Sequence, residues 1–352
     1  MDINNLLKLA AEKKASDIHL LFGQSPILRI DGRLWDINHV VVNGNFSPLT
    51  ANNLSAFIDA MLNIEQKSRL FDKRDLDLGY QVDQYRYRVN FSYERNNPAI
   101  VARIVNDSVP TLEEIGMPEV VEKLLDLPQG FILVTGPTGC GKSTTLASMI
   151  NHINASHSVN IITLEDPIEY IFAPDKSIIA QRQLGTDMLT FASGLKHVLR
   201  QDPNVIMLGE MRDLETISTA VTLAETGHLV LATLHTYSAA QTIDRIIDIF
   251  PPYQQSQIKS QLSNVLSAVI SQRLLPRKNG GRIAAREIMI NNPAISNLIR
   301  EGKVAQIKNT IETGSSLGMI TLDRHIKQLY QAGEIERDVA LGQMSDPQML
   351  DN

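Results

Sequence analysis

The glycine-rich stretch from residue 131 to residue 144 constrains the fold of this chain more than any other feature. It reads Phe-Ile-Leu-Val-Thr-Gly-Pro-Thr-Gly-Cys-Gly-Lys-Ser-Thr. Its four leading apolar residues predict a buried parallel strand, and residues 136–143 fill every fixed position of the phosphate-binding loop pattern. A helix predicted over residues 144–153 would turn its positive amino end toward an anion in the loop. The stretch therefore predicts a nucleoside triphosphate site.

We expect the whole loop to surround the phosphates, and two of its side chains to have separate tasks. Lys142 is predicted to reach the β- and γ-phosphates, and the Ser143 hydroxyl is predicted to bind Mg²⁺. The predicted cofactor-binding residues are Gly136, Pro137, Thr138, Gly139, Cys140, Gly141, Lys142, Ser143 and Thr144. The chain has no Asn-Lys-x-Asp guanine signature, which favours ATP over GTP.

Composition narrows the class of protein. The chain has 352 residues, enough for two domains, and a formal net charge of -6, which disfavours a general attraction to nucleic acid or to anionic membranes. Its amino terminus lacks the basic and apolar regions of a signal peptide, and no apolar run has the length of a membrane span, so we expect a cytoplasmic protein. The single cysteine, Cys140, excludes an intrachain disulfide and a multi-cysteine zinc site.

Hydrophobic patterning divides the chain into two parts of different class. Residues 1–106 alternate polar and apolar positions, with a hairpin turn at Asp31-Gly32, and predict a small α+β domain with an antiparallel sheet. Residues 107–112 are the predicted interdomain linker. From residue 113 to 352 buried strands alternate with helices, which predicts an α/β, doubly wound or RecA-like sheet with a helical carboxyl-terminal end. Two long helices are predicted at residues 50–71 and 254–275.

Two predicted strands of the second part end in carboxylates, where ligands bind in such sheets. Residues 205–208 lead into Gly209-Glu210, and we assign Glu210 to the Mg²⁺ shell, with a solvated loop acid as the alternative. Residues 161–164 lead into Glu165, which we expect to orient the attacking water. For the neighbouring Asp166 and Glu169, a catalytic and a purely structural role remain equally open.

A third strand, at residues 229–233, has a histidine at each end. We predict that His228 and His235 sense the γ-phosphate or carry a signal across the sheet. The alternative is that each is an ordinary hydrogen-bonded core histidine.

Arginines on two strands of the first part suggest that the site is completed by a partner. Arg86 and Arg88 are two residues apart in a predicted strand and so share one face, and Arg103 lies in the next strand. Such arginines could reach a triphosphate bound by a neighbouring chain. The alternative is a solvated strand face.

Taken together, these motifs resemble one family over nearly the whole chain: the hexameric ATPases of bacterial secretion, and within them the type IV pilus retraction ATPases. The resemblance implies a PAS-like amino-terminal domain, a RecA-like ATPase domain and a ring of six. It also implies that nucleotide binds between domains, closed by Arg86, Arg88 and Arg103. The matching stretches are residues 16–19, 87–90, 136–144, 163–170 (similar to an Asp box), 209–215, and 224–228 with 233–236 (similar to a His box).

The function that the resemblance implies is ATP-driven pilus retraction for twitching motility, through a platform protein in the inner membrane. Other pilus ATPases are further candidate partners, nucleic acid is not, and the protein is expected at the cytoplasmic base of the pilus. Residues 292–301 are similar to the carboxyl-terminal motif of retraction ATPases, with Ser296 where the family has arginine. Two alternatives stay open: an accessory paralogue acting as a regulatory nucleotide-binding module, and a type II secretion or DNA-uptake assembly ATPase.

Overall fold

The computed structural model describes residues 2–30, 32–41, 44–105 and 108–350. The chain divides into two compact units. The first consists of Met1–Ser108 together with Pro167–Ile171, and the second of Val109–Asp166 and Phe172–Asn352. The short segment 167–171 thus belongs to the first unit although it lies within the sequence of the second. Asp31 of the predicted hairpin turn, and Asn106 and Asp107 at the predicted domain boundary, lie outside the described residues.

The first unit is built on a six-stranded antiparallel sheet with the strand order β3-β2-β1-β6-β5-β4. Alternate residues of its strands form the core, as Tyr87, Val89 and Phe91 show by being fully buried. The strands are β1 (Asp17–Leu20), β2 (Ile27–Ile30), β3 (Arg33–Asp36), β4 (Asp75–Val82), β5 (Tyr85–Glu94) and β6 (Asn97–Val105). The helices are α1 (Ile3–Glu12), α2 (Ile37–Val40), α3 (Ala51–Met61) and α4 (Ile64–Lys73).

The prediction of one helix over residues 50–71 was wrong, because the segment forms two helices. Asn63 begins the second: its side chain accepts a hydrogen bond from the backbone N–H of Gln66 at 2.9 Å, and its own backbone N–H donates to Oε1 of Gln66 at 3.0 Å. This reciprocal capping box satisfies backbone donors that a continuous helix would pair internally.

The second unit is built on a seven-stranded sheet with the order β13-β12-β7-β11-β10-β8-β9. All neighbouring strands are parallel except β12 and β13, which are antiparallel. The strands are β7 (Gly130–Thr135), β8 (Asn160–Glu165), β9 (Ile178–Gln183), β10 (Val205–Leu208), β11 (Leu229–Leu234), β12 (Leu266–Pro276) and β13 (Arg282–Ile290).

Helices accompany this sheet and form the carboxyl-terminal end of the chain. They are α5 (Glu119–Leu125), α6 (Lys142–Ser156), α7 (Phe191–Val198), α8 (Leu214–Glu225), α9 (Ala239–Asp248), α10 (Pro252–Val265), α11 (Pro293–Glu301), α12 (Ile307–Thr313), α13 (Leu322–Gln331) and α14 (Arg337–Gln343). Short 3₁₀ turns lie at Val304–Gln306, Ser315–Leu317 and Pro347–Leu350. In the described part of the chain, no helix is both long and apolar enough to cross a bilayer.

The prediction of a helix over residues 254–275 was wrong in its second half. Helix α10 ends at Val265, and residues 266–276 form β12. This strand lies between β7 and β13, so both of its edges are hydrogen bonded to neighbouring strands. Its apolar residues do not alternate with polar ones, so the sequence pattern does not distinguish a strand from a buried helix. Strand β9 was not predicted either.

The parallel strands place the ends of four elements at one edge of the sheet. Thr135 of β7 is in register with Leu234 of β11, and Leu208 of β10 is in register with Leu164 of β8. Because parallel strands run in the same direction, the segments that follow them gather at this edge. Glu165, the last residue of β8, lies at this edge, and the following segments carry the phosphate-binding loop, Glu210 and His235.

Candidate nucleotide site

The phosphate-binding loop connects β7 to α6 over residues 136–141. Gly136 has a φ of 145°, and a Cβ atom there would lie 2.3 Å from the carbonyl oxygen of Gln272 and 2.6 Å from the sulfur of Cys140. Gly141 caps α6 with a left-handed φ of 90°. Glycine is required at residue 136 both for its backbone conformation and because β12 approaches so closely.

The Lys142 side chain is buried and turned back onto the loop. Its ammonium donates hydrogen bonds to the carbonyl oxygens of Gly136 at 2.8 Å and Pro137 at 3.0 Å. It also lies 3.4 Å from Nδ1 of His235. Two backbone carbonyl oxygens therefore hold the Lys142 ammonium in the loop. Phosphate oxygens would replace them as the hydrogen-bond partners of Lys142.

His235 connects Lys142 to Glu210. Partial burial, then the positive charges of Lys142 and Arg212, lower the pKa of His235 below its usual 6.5, so the ring is neutral at pH 7. Because an ammonium can only donate, Nδ1 accepts from Lys142 and Nε2 carries the hydrogen. Nε2 lies 3.1 Å from Oε2 of Glu210 and donates to it, and Arg212 forms an ion pair with Oε1 of the same carboxylate.

This arrangement links the loop lysine to the predicted metal-binding acid by a chain of hydrogen bonds. Of the residues predicted from sequence, it brings together Lys142, His235 and Glu210. Arg212 was not predicted, although its position two residues after the acid was a usable signal.

Glu165 is the last residue of β8 and is 6% exposed. Its Oε1 accepts hydrogen bonds from the hydroxyl of Thr163 at 2.7 Å and from the amide of Gln181 on β9 at 3.1 Å. These two donors fix the orientation of the carboxylate. Gln181 was missed because the strand that carries it was missed.

Gly209 brings the two acids close together in the sheet. Its N–H donates to the carbonyl oxygen of Leu164 at 2.8 Å, so the backbone that leads to Glu210 runs beside Glu165. A Cβ atom at Gly209 would lie 3.3 Å from that oxygen and 3.4 Å from Cα of Glu165. A larger residue would have to push β8 and the chain after β10 apart at this point.

His228 lies at the other end of β11. It precedes Leu229, which pairs with the first residue of β7, whereas the loop follows the last. Its Nδ1 lies 2.9 Å from the carbonyl oxygen of Leu223 and therefore donates to it. Within one chain the fold does not bring His228 to the loop, and its role in the reaction stays a prediction.

The three predicted arginines lie in the first unit. Arg88 and Arg103 are opposite each other on β5 and β6, and Arg86 is opposite Val105. Nε of Arg103 donates to Oδ1 of Asp17 at 2.7 Å, and Nε of Arg88 lies 4.0 Å from Oδ1 of Asp77.

Asp17 is the most buried acid among these contacts, with 4% exposure. Burial alone would raise its pKa, but hydrogen bonds from Arg103 and Ser16 outweigh burial and lower the pKa below 3.8. The carboxylate therefore stays charged and holds Arg103. Arg88 and Arg103 also line a cavity of about 170 Å³ together with Glu169 and Tyr170.

A buried acid supports the segment that follows His235. Oε1 of Glu287 on β13 accepts a hydrogen bond from the backbone N–H of Ala239, the first residue of α9, at 2.8 Å. Burial raises the pKa of Glu287 above 4.5. The sequence contained no signal for this contact, which joins residues 48 positions apart.

The donor set fits the binding of Mg²⁺ with a nucleotide. Within the described ranges, no group of three or more His, Cys, Asp or Glu side chains could hold a metal ion. Mg²⁺ at nucleotide sites usually takes one or two protein oxygens, with phosphate and water oxygens completing its shell. The half-buried Ser143 hydroxyl at the start of α6 and the Glu210 carboxylate match that requirement.

A strand, a phosphate-binding loop and two acids at the carboxyl edge of a parallel sheet define a P-loop ATPase of RecA-like fold. The profile of the type II/IV secretion system protein family matches residues 1–337, and the chain belongs to that family. It is 46% identical over 341 residues to the type IV pilus retraction ATPase PilT of Pseudomonas aeruginosa, covering 97% of each chain. It is 43% identical over 318 residues to a twitching motility protein of Neisseria gonorrhoeae, covering 90% of this chain and 83% of that one.

A solved structure matches as well. The crystal structure of the pilus retraction motor PilT with bound ADP superposes with a TM-score of 0.92 and 41% identity, covering 100% of this chain and 99% of that one. These findings confirm the predicted family, its ATPase activity and the α/β fold class.

Proposed function

We propose that this protein is the ATP-hydrolysing motor that drives type IV pilus retraction. The main support is its 46% identity, over 97% of both chains, to a pilus retraction ATPase. The arrangement of Lys142, His235 and Glu210 around the loop supports hydrolysis at the same site, because each group that phosphoryl transfer requires has a candidate.

In this proposal different residues of one chain bind the phosphates, hold the metal ion and position the attacking water. Backbone N–H groups of residues 136–144 bind the phosphates, and Lys142 exchanges the carbonyl oxygens of Gly136 and Pro137 for the β- and γ-phosphate oxygens. Ser143 and Glu210 would hold Mg²⁺, which supplies positive charge to the phosphates when bound. Glu165, oriented by its two donors, positions the attacking water.

We further propose that six copies form a ring and that each site is completed by a neighbour. Arg86, Arg88 and Arg103 of one copy would reach the nucleotide of the next, with Asp17 holding Arg103 in place. In this view residues 1–106 and 113–352 are the two domains, and residues 107–112 link them. The ring would dock on the inner-membrane platform protein at the cytoplasmic base of the pilus, alongside other pilus ATPases and without contacting nucleic acid.

Steady-state ATPase assays on the purified protein test the site. Lys142→Ala and Glu210→Ala should each lower kcat by at least about a hundredfold, because each removes charge stabilisation from the transition state. Lys278→Ala removes an exposed lysine that pairs with Glu336 on the surface, and it should leave kcat unchanged. Undiminished hydrolysis by either site variant would refute the assignment.

A deletion strain tests the proposed load. Loss of a retraction motor leaves pili that assemble but do not withdraw, so surplus pili and lost twitching are expected. Bald cells would instead indicate an assembly ATPase.

The accessory alternative rests on Ser296, which stands where the carboxyl-terminal motif of retraction ATPases has arginine. The Ser296 hydroxyl lies 2.9 Å from the carbonyl oxygen of Ser263 and 3.1 Å from Oδ1 of Asn291, so it joins α11 to the end of α10. The arginine of the family motif would present a cation at this point. If the protein is a regulatory module, wild-type turnover should be negligible while nucleotide binding is retained.

A further inference from the structure

Strand β12 contacts both β7 and the phosphate-binding loop that follows it. At the base, the hydroxyls of Ser271 and Thr135 lie 2.8 Å apart and join β12 to β7. Above them, the Gln272 carbonyl oxygen occupies the space beside Gly136 that a Cβ would need. The Gln272 side chain, 2% exposed, extends from this strand to the loop.

Both ends of the Gln272 amide are hydrogen bonded. Nε2 donates to the carbonyl oxygen of Cys140 at 2.8 Å, and Oε1 accepts from the hydroxyl of Thr145 at 3.0 Å. Cys140 lies in the loop and Thr145 in the first turn of α6. One side chain from a strand 132 residues away therefore joins the loop to the helix that follows it.

The contact with Cys140 has a consequence for the next N–H group. In a trans peptide the carbonyl and the following N–H point in opposite directions. Since the carbonyl of Cys140 is held toward Gln272, the N–H of Gly141 is turned to the other side of the loop. Backbone N–H groups directed inward are what a phosphate-binding loop uses to hold its anion.

We propose that Gln272 is a positioning residue for nucleotide binding: it holds the Cys140–Gly141 peptide so that the Gly141 N–H faces the phosphates. The inference rests on the proposed nucleotide site but concerns a residue outside it. Gln272 touches no reacting atom and acts only through the loop. Its loss should therefore weaken binding and raise KM, with little effect on kcat at saturating ATP.

Two substitutions separate the donor from the bulk of the side chain. Gln272→Met keeps the approximate volume and removes both hydrogen bonds, and we expect it to weaken ADP binding about tenfold. Gln272→Glu keeps an acceptor for Thr145 but loses the donor to Cys140. At pH 8 it should bind ADP at least as weakly as Gln272→Met, because a carboxylate would face a carbonyl oxygen.

The Glu variant also offers a rescue that a general packing defect would not show. A protonated carboxyl group regains an O–H donor, so the affinity of Gln272→Glu relative to wild type should recover as the pH is lowered from 8 to 6. The ratio of Gln272→Met to wild type should stay constant over this range. Binding of ADP can be measured by calorimetric titration of the full chain at each pH.

Ser271→Ala is the matched control. It removes an equally buried hydroxyl from the same strand, one that pairs with Thr135 and not with the loop. It should leave the ADP dissociation constant within twofold of wild type. Equal losses of affinity in Ser271→Ala and Gln272→Met would overturn the proposal, as would unchanged binding by Gln272→Met.

Thr145→Val gives an independent test if the Gln272 variants fold poorly. It removes the other anchor of the same amide and should weaken ADP binding about threefold; unchanged affinity would overturn the proposal. Wild-type protein that binds no ADP at all would instead refute the nucleotide site itself, so the two failures are distinguishable.

Discussion

Replacing Gly136 with alanine tests how tightly β12 confines the phosphate-binding loop. The new Cβ would meet the carbonyl oxygen of Gln272 at 2.3 Å and the sulfur of Cys140 at 2.6 Å. The sulfur belongs to a side chain that can rotate, but the oxygen belongs to the backbone of a strand held by β7 and β13. The loop or the strand must shift to accept the methyl group.

Two costs add in this variant. A φ of 145° is accessible almost only to glycine and costs alanine about 1–3 kcal/mol. The collision adds about 1–3 kcal/mol of overpacking, and we expect the upper end because a central strand yields little. Unfolding should therefore become easier by about 4–6 kcal/mol.

Gly139→Ala is the natural comparison, because the same loop carries the same substitution without a collision. Gly139 has a φ of 78°, and a Cβ there would meet nothing within 4 Å. Only the left-handed backbone is penalised, by about 1–2 kcal/mol. The two variants should thus differ by about 3 kcal/mol, or a Tm difference of about 6–12 °C for a unit of this size.

Thermal and urea unfolding of both variants, followed by circular dichroism without nucleotide, measures this difference. A Tm for Gly136→Ala within 2 °C of that for Gly139→Ala would show that β12 does not confine the loop. The result would also count against the proposed role of Gln272, because that role too requires β12 to lie close to the loop.

Two further substitutions test carboxyl groups, at Asp17 and Glu287, whose pKa values the fold shifts. Asp17→Asn should destabilise the protein by about 1–3 kcal/mol at pH 7, because the charged hydrogen bond from Arg103 is lost. Since the fold lowers the pKa of Asp17, this difference in unfolding free energy should shrink below pH 3.8, and a constant difference would contradict the ion pair. Glu287→Gln keeps an acceptor for Ala239 and removes a buried charge whose pKa the fold raises. Its Tm relative to wild type should therefore rise as the pH increases above 4.5, and a fall would disprove the shift.

Much of the fold was predictable, and the errors have identifiable physical causes. The strands that flank the loop were predicted from short apolar runs bounded by polar residues. The prediction of a helix over residues 266–275 was wrong because the apolar residues there do not alternate with polar ones, so the pattern does not distinguish a buried strand from a helix. The break between the two helices at Asn63 was missed because its only signal is one local pair, Asn63 and Gln66, within an otherwise helical pattern.

The sequence by itself determined the ligand class, because the phosphate-binding loop is contiguous and its chemistry depends on local backbone conformation. It also predicted Glu165 and Glu210 as site residues, since each lies at the carboxyl end of a predicted strand. Tertiary structure alone decided which groups orient them: Gln181 beside Glu165, and His235 between Lys142 and Glu210. It likewise brought Gln272 to the loop. These contacts join residues far apart in the chain, and only the order and register of the strands determine which side chains meet.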